Sequence, residues 1–203
     1  KTANFLKANG IKKGDKVMLI LRRRFEFYFF VFALCKIGAT YIPSTNQLKA
    51  KDIVYRANSA GAKMLITYNW DETVQSVEES VEESETLDKI VLIGGNREGW
   101  VNYDNEIENA SSTWQKPTGD DQTHNKDLML IYFTSGTTSM PKMAAHDFTY
   151  PLGHIVTAKY YHRVIENGLH LTVAESGWAK FGWGKLYGQW ICGAVQVVYD
   201  MES

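Results

Sequence analysis

Short apolar runs alternate with longer amphipathic segments along the first half of the chain. Four of these runs are apolar or β-branched and are bounded by turn residues, which predicts strands at residues 16–21, 39–42, 63–67 and 89–93. Three segments between them carry apolar side chains at helical spacing, which predicts helices at residues 25–37, 50–60 and 71–85. Strands that alternate with helices indicate βαβ units. The pattern therefore predicts an α/β fold, with a largely parallel sheet flanked by helices.

The second half of the chain is less regular. Residues 94–126 are polar and have no sustained period, which predicts a long surface connection. Residues 128–133 are an apolar run typical of a buried strand, and residues 141–146 are interpreted as the exit from a loop. Pro151 suits the first turn of a helix that runs to about Arg163. We expect three parts of one domain: 1–93, 94–126 and 127–203.

Composition and charge exclude several classes of partner. Lys and Arg number 22 and Asp and Glu number 23, so no long-range field attracts nucleic acid. A chain of 203 residues with 44% apolar content can bury a sizeable core. The apolar run at 25–37 is shorter than the roughly 20 residues of a spanning helix, which predicts no membrane span.

Cysteine usage and the start of the chain bear on location. Cys35 and Cys192 lie in apolar runs far apart, which favours buried thiols in a reducing compartment. No basic-then-apolar leader opens the chain, and together these features predict a cytoplasmic protein. The first residue is Lys1 rather than Met, and the sequence already has helical spacing up to Gly10. We therefore expect residues upstream.

The segment from Thr134 to Lys142 carries the candidate chemistry. It reads Thr-Ser-Gly-Thr-Thr-Ser-Met-Pro-Lys and directly follows the predicted strand at 128–133. Hydroxyls and backbone N–H groups donate hydrogen bonds, Gly136 permits a close approach, and Lys142 adds a positive charge. No acidic residue occurs in this segment. The segment is suited to binding phosphate oxygens, although runs of Ser, Thr and Gly also form ordinary loops.

A comparison with the loop of P-loop NTPases fails. That motif needs a second glycine before its lysine and a magnesium-binding hydroxyl after it. Here Pro141 precedes Lys142 and Met143 follows it. Pro141 also lacks the N–H group that a phosphate cradle uses.

The segment instead resembles the signature loop of the adenylate-forming ligases, the family of acyl-CoA synthetases, luciferases and adenylation domains. Ser139 is the one departure, because the family loop has a second glycine there. Residues 10–17 and 38–43 are similar to two early segments of the same family. Residues 175–185, which contain Trp178 and Trp183, are similar to its medium-chain acyl-CoA synthetase branch. The resemblance implies part of the large N-terminal domain of such an enzyme.

What the resemblance implies is a two-step reaction that uses ATP, Mg²⁺ and coenzyme A. A short-chain, medium-chain or aryl carboxylate would form an acyl-adenylate, and coenzyme A would then displace AMP. It implies that the ATP phosphates are bound by Thr134, Ser135, Gly136, Thr137, Thr138 and Lys142. Trp178 is a candidate wall of the acyl pocket, with core packing as the alternative, and Trp183 is interpreted as a core residue.

The family motifs that supply the magnesium ligand and the catalytic lysine have no counterpart before Ser203. We therefore expect an engineered or proteolytic fragment without catalytic residues of its own and inactive alone, with an uncovered apolar face that favours self-association. The alternative is a non-catalytic nucleotide-binding or assembly module whose loop is degenerate at Ser139. The histidines His146, His154, His162 and His170 recur every eight residues, a spacing that does not place them on one helical face, so we expect no metal site there.

Overall fold

The computed structural model describes residues 1–134 and 140–200. Its main sheet has seven strands in the order β5-β4-β3-β1-β2-β6-β7. Neighbouring strands are parallel except β6 and β7, which are antiparallel. The strands are β1 Lys16–Ile20, β2 Thr40–Pro43, β3 Ala62–Tyr68, β4 Lys89–Ile93, β5 Val101–Asn102, β6 Leu128–Thr134 and β7 Lys142–Asp147. The prediction of a largely parallel α/β sheet is confirmed.

Helices cover both faces of the sheet. They are α1 Thr2–Ala8, α2 Glu26–Ile37, α3 Ala50–Ala60, α4 Asp71–Ser80 and α5 Tyr103–Asn109, with a 3₁₀ turn at Gly119–Asp121. Leu19 of β1 faces the core shared with α1 and α2, whereas Met18 and Ile20 face the core shared with α3 and α4. The strands read as continuous apolar runs because both of their faces are buried.

Local signals fix the ends of these helices. Gly38 follows α2 with a φ of 79°, and its N–H donates to the carbonyls of Leu34 and Cys35. A left-handed residue of this kind favours glycine and ends the helix. At the start of α3 the Asp52 carboxylate accepts a hydrogen bond from the Lys49 N–H at 3.3 Å, which satisfies one free donor of the first turn.

Two predicted elements need correction. The connection at 94–126 contains β5 and α5, because Tyr103 is buried with its ring 5.1 Å from Phe5 and 4.9 Å from Phe30. The predicted helix at 71–85 ends at Ser80, and Val81 is 43% exposed instead of belonging to the apolar stripe. The Ser84 hydroxyl donates to the Ser80 carbonyl at 2.7 Å in the turn that follows.

The chain after β7 forms short elements on the face of the sheet that α2 covers. They are α6 Tyr150–Val156, a π-helix at Thr157–Tyr161, β8 Leu169–His170, α7 Ala179–Phe181, a π-helix at Gly182–Leu186, α8 Tyr187–Ile191 and β9 Val195–Gln196. Strands β8 and β9 form a separate parallel pair. Pro151 lies in the first turn of α6, as predicted. Within the described residues, every helix is too short or too polar to cross a bilayer.

Candidate functional site

The candidate site lies where three adjacent parallel strands end. Strands β1, β2 and β6 are neighbours, so their carboxyl ends reach the same edge of the sheet. Arg22 to Arg24 follow β1, Ser44 and Thr45 follow β2, and the predicted phosphate loop follows β6 at Thr134. Ligands of open α/β sheets bind at this edge. Three segments with polar or charged side chains therefore meet at one place.

The two ends of the phosphate loop are held together. Thr134 and Lys142 are register partners of β6 and β7, and the Thr134 hydroxyl donates to the Lys142 carbonyl at 3.3 Å. The Lys142 side chain is exposed. The other four predicted phosphate ligands lie outside the described residues: Ser135, Gly136, Thr137 and Thr138. Ser139 lies outside them too. Their roles remain predictions.

The sequence did not predict strand β7, because the strand lies at the edge of the sheet. Residues 141–146 were interpreted as a loop exit, and the strand sequence Lys-Met-Ala-Ala-His-Asp has little apolar alternation. All six residues are exposed or half-buried, since β7 is the last strand of the sheet. An edge strand needs fewer apolar side chains than a central one. The antiparallel pairing of β6 and β7 places Lys142 directly opposite Thr134.

Helix α3 anchors the far end of the loop through Tyr55. The Tyr55 hydroxyl donates to the Pro141 carbonyl at 2.9 Å, and its ring lies 6.1 Å from that of Phe133 in β6. The neighbouring Arg56 guanidinium lies 5.0 Å from the Phe133 ring. Burial lowers the pKa of Arg56, and the Asp52 charge opposes this shift. Sequence reasoning missed Tyr55, because nothing in the helical pattern separates it from an ordinary half-buried tyrosine.

A second segment covers the ends of β1 and β2. The Ser176 N–H donates to the Arg22 carbonyl at 3.3 Å, and the Arg23 guanidinium donates to the Val173 carbonyl at 3.2 Å. A Cβ atom built on Gly177 would lie 2.2 Å from the backbone nitrogen of Thr45. No side chain fits that gap, so glycine is required where this segment touches β2.

Glu175 places a carboxyl group against this edge. One of its oxygens accepts a hydrogen bond from the Gly177 N–H at 3.1 Å. Burial raises the pKa of Glu175, while hydrogen bonds from Gly177 and Thr45 and the positive charges of Arg23 and Arg22 act in the opposite direction. Desolvation favours the neutral form of a carboxyl group, and here it outweighs the donors around it. Glu175 lies in the family-like segment 175–185, and its half-buried position against this edge could not be read from the sequence.

The two tryptophans of this segment are both partly exposed. Trp178 is 50% exposed, with the Lys180 ammonium 6.0 Å from its ring. Trp183 is 38% exposed and stacks parallel to His162, with ring centroids 6.5 Å apart. Neither lines the apolar cavity of about 310 Å³ between α2 and α8. The role of Trp178 in an acyl pocket stays a prediction.

A buried lysine stabilises the Gly182–Leu186 turn, which carries Trp183. Lys185 is only 1% exposed, and its ammonium group donates to the Val197 carbonyl at 2.7 Å. Burial lowers the pKa of Lys185, and the positive charge of Arg23 lowers it further. On the same turn, the Gly184 carbonyl oxygen lies 2.9 Å from Nε2 of His170. Lys185 thereby fixes the Gly182–Leu186 turn to the residue directly after β9.

Aromatic side chains connect β7 to α6 and α8. The Tyr150 ring lies 3.8 Å from His146 and 4.6 Å from His154, and His154 stacks on Tyr187 at 5.7 Å. The hydroxyl of Tyr187 forms a short hydrogen bond with that of Tyr41. Burial raises the pKa of both tyrosines well above the ordinary value. These hydroxyls stay protonated and act as hydrogen-bonding groups.

The described residues do not supply a magnesium site. Within residues 1–134 and 140–200, no three His, Cys, Asp or Glu side chains come together in a way that could hold a metal ion. Mg²⁺ prefers carboxylate oxygens, but Glu175 accepts hydrogen bonds from Gly177 and Thr45, and Glu26 and Asp200 pair with Arg24. The described residues therefore do not fit this ion.

Comparison with known proteins gives consistent results. The chain is 36% identical over 198 residues to the mitochondrial acyl-coenzyme A synthetase ACSM3 of Rattus norvegicus, a match that covers 96% of this chain and 33% of that protein. It is 31% identical over 206 residues to the mitochondrial acyl-coenzyme A synthetase ACSM4 of Mus musculus, covering 100% of this chain and 34% of the relative. The chain thus spans about a third of the length of these relatives.

Two solved structures share the fold. The crystal structure of the anthranilate CoA ligase AuaEII in complex with anthranoyl-AMP superposes with a TM-score of 0.88 at 26% identity, covering 97% of this chain and 37% of that one. The acyl-CoA synthetase of Brucella canis superposes with a TM-score of 0.81 at 22% identity, covering 96% and 34%. The second likeness supports the fold alone.

The relatives correct one prediction, and the family model establishes the family. Both acyl-coenzyme A synthetases carry a mitochondrial name, which contradicts the predicted cytoplasmic location. Free cysteines favour a reducing compartment, but they do not distinguish the cytosol from other reducing compartments. The model of the AMP-binding enzyme family matches residues 1–203, and the chain therefore belongs to that family.

Proposed function

We propose that this chain is the nucleotide-loop part of an ATP-dependent, AMP-forming acyl-CoA ligase. The observation that carries the proposal is the paired Thr134 and Lys142 at the carboxyl end of β6, with an exposed lysine side chain beside the loop. Membership of the AMP-binding enzyme family and the likeness to acyl-coenzyme A synthetases support it. The substrates are ATP, coenzyme A and a short-chain, medium-chain or aryl carboxylic acid.

In the first step the substrate carboxylate attacks the α-phosphorus of ATP. The bond from that phosphorus to the bridging oxygen breaks, which releases pyrophosphate and leaves an acyl-adenylate. In the second step the thiol of coenzyme A attacks the acyl carbonyl, and AMP leaves. Mg²⁺ supplies charge neutralisation when bound, and its ligands are expected outside the described residues.

The residues of this chain bind and orient the triphosphate. Negative charge develops on the pyrophosphate as it leaves, so donors that are already in place stabilise the transition state. The phosphate ligands are Thr134, Ser135, Thr137, Thr138 and Lys142, with Gly136 allowing close approach. Tyr55 supports this role indirectly, since its hydroxyl fixes Pro141 directly before Lys142.

The acyl group is assigned to the side of the edge that carries Trp178. A flat aromatic wall beside Gly177 suits an alkyl or aryl tail. The anthranoyl-AMP bound to the solved CoA ligase, an adenylate of an aryl acid, favours aryl carboxylates among the candidates. The names of the relatives favour a mitochondrial location for the protein.

Calorimetry with a non-hydrolysable ATP analogue tests the proposal. Because a hydrogen bond to a charged group contributes about 1.5–3 kcal/mol, Lys142→Ala should bind the analogue about 10- to 100-fold more weakly than the wild type. Lys36→Ala, which changes an exposed lysine on α2, is the matched control and should bind normally. Equal affinities for Lys142→Ala and the wild type would remove this lysine from the site.

Pyrophosphate release separates the ligase from a binding module. The 203 residues alone should bind the analogue without releasing pyrophosphate from ATP and a medium-chain or aryl acid. Release by the isolated chain would contradict the view that other parts of the protein complete the active site. Full-length protein that binds the analogue and forms no acyl-adenylate would favour the non-catalytic module.

A further inference from the structure

Helix α3 is packed firmly on the sheet. Ile53, Ala57 and Ala60 are buried in the core that this helix shares with β1 and β3. The Thr86 hydroxyl, which follows α4, donates a hydrogen bond to the Ala57 carbonyl at 3.2 Å. Close-packed interiors yield little to small forces. Side chains on the half-buried face of α3 therefore extend from a fixed backbone.

Tyr55 extends from α3 to the chain on both sides of the phosphate loop. Its ring lies 6.1 Å from the ring of Phe133, the residue directly before Thr134, at an interplanar angle of 69°. Its hydroxyl donates a hydrogen bond of 2.9 Å to the carbonyl of Pro141, the residue directly before Lys142. One side chain of α3 thus contacts the residues next to both described phosphate ligands.

The hydrogen bond from Tyr55 holds a residue that the sheet does not hold. Strand β7 begins at Lys142, so Pro141 lies just outside the strand. Proline has no N–H group, which leaves the carbonyl as its only backbone hydrogen-bonding group. The Tyr55 hydroxyl binds that carbonyl and so extends the fixed part of the chain by one residue toward the loop.

Arg56, the next residue of α3, strengthens the contact with β6. Its guanidinium lies 5.0 Å from the centre of the Phe133 ring, and a cation over an aromatic face is attracted by the ring. The charge of Asp52, one helical turn earlier, stabilises the guanidinium. Phe133 therefore packs against two consecutive side chains of α3, which fixes the orientation of the Tyr55 ring.

We propose that Tyr55 is a positioning residue that sets the affinity of the loop for a triphosphate by fixing the backbone at Lys142. The inference rests on the proposed function, because it takes Lys142 as a ligand of the ATP phosphates. Tyr55 acts on the nucleotide through Pro141 and Lys142. A donor that is already in place needs no ordering when the ligand binds, so loss of the hydroxyl weakens binding without removing a phosphate contact.

A double-mutant cycle of Tyr55 and Lys142 tests this role. Calorimetry measures the affinity of the wild type, Tyr55→Phe, Lys142→Ala and the double variant for a non-hydrolysable ATP analogue. Loss of one hydrogen bond predicts that Tyr55→Phe binds about three- to tenfold more weakly than the wild type. In the Lys142→Ala background the same change should weaken binding less than about twofold, because the group that Tyr55 positions is absent. A general loss of fold would weaken binding by the same factor in both backgrounds.

Tyr103→Phe is the matched control. Tyr103 directly follows the edge strand β5, and its hydroxyl forms a hydrogen bond of 3.0 Å with the Thr2 hydroxyl. The variant therefore loses an equivalent bond at the edge of the sheet opposite β7. It should bind the analogue like the wild type. Urea unfolding of every variant shows whether a change in affinity comes with a change in stability.

Two outcomes would overturn this inference and leave the proposed function intact. The first is that Tyr55→Phe binds the analogue as tightly as the wild type while Lys142→Ala binds it weakly. The second is an equal loss in both backgrounds, which would mean that Tyr55 acts independently of Lys142. Failure of the wild type to bind, or wild-type affinity in Lys142→Ala, would overturn the proposed function and this inference with it.

Discussion

The central sheet and the segment that follows it are stabilised in different ways. In β1 the side chains from Val17 to Ile20 are fully buried between two layers of helices. After α6, by contrast, Tyr161 is 80% exposed, Ile165 75% and Leu169 79%. The first region is closed by apolar packing on both faces, whereas the second region adds fewer buried apolar side chains to that core, among them Phe181, Leu186 and Tyr187. Regions with few buried apolar contacts open more easily than the core.

The candidate site lies at the junction of these two regions. Arg22 and Thr45 come from the packed sheet, and Glu175 and Gly177 come from the segment laid over it. A rigid scaffold with binding groups on the segments above it is a common arrangement of functional sites. The contrast predicts that substitutions in the sheet affect the whole fold and that substitutions at the junction affect mainly the site.

The largest expected effect is a loss of unfolding free energy caused by a substitution in the sheet. Leu19→Ala removes a fully buried side chain from β1, and large-to-small changes of this kind cost about 2–5 kcal/mol of unfolding free energy. Ile165→Ala is the matched aliphatic change in the exposed region, where the effect should stay within about 0.5 kcal/mol. Urea unfolding of both variants measures the difference. Similar losses would mean that the second region is as tightly packed as the first.

The sheet could be predicted from the sequence because burial of both strand faces leaves a strong pattern. Residues 17–21 and 64–66 are continuous apolar runs, and the helices that end at Gly38 and Gly61 directly precede strands β2 and β3. Strand β7 could not be found in this way, since an exposed edge imposes no apolar alternation. Helix α5 depends on one buried side chain, Tyr103, in a polar stretch.

The site was only partly predictable, for a related reason. The loop motif from Thr134 to Lys142 depends on residue types in fixed order, so it can be read from the sequence. Tyr55 and Glu175 act through contacts between segments far apart in the chain, and neither has a local signature. Trp178 was chosen by residue type and motif, and half of its surface faces solvent.

The next largest effect is expected on both stability and ligand affinity, from a substitution at the junction of the two regions. Gly177→Ala places a methyl group 2.2 Å from the Thr45 backbone nitrogen, and a backbone cannot move aside as a flexible side chain can. Overpacking costs about 1–3 kcal/mol, and the segment that carries Glu175 should shift away from β2. Gly184→Ala is the control, because a Cβ atom there meets nothing within 4 Å. Urea unfolding and affinity for the ATP analogue should both change in Gly177→Ala and stay near wild type in Gly184→Ala. An unchanged Gly177→Ala would show that this contact does not stabilise the junction.

The smallest effect is a dependence of stability on pH through the aromatic stack on β7 and α6. Burial lowers the pKa of His146, against the opposing charge of Asp147, and burial together with the charge of His146 lowers the pKa of His154. In the unfolded chain both histidines regain the ordinary value of about 6.5. The unfolded state then binds more protons than the folded state between the lowered values and about 6.5, so stability falls as the pH drops through that window.

Two variants show whether this stack is responsible. His146→Gln with His154→Gln removes both titrating groups, so its midpoint of urea unfolding should change less than that of the wild type between about pH 7.5 and about pH 5.5. His154→Gln alone should give an intermediate dependence, because the charge of His146 contributes to the low pKa of His154. A double variant that keeps the full acid sensitivity of the wild type would place the titrating groups elsewhere, and the stack between β7 and α8 would then be a packing feature like those of the sheet.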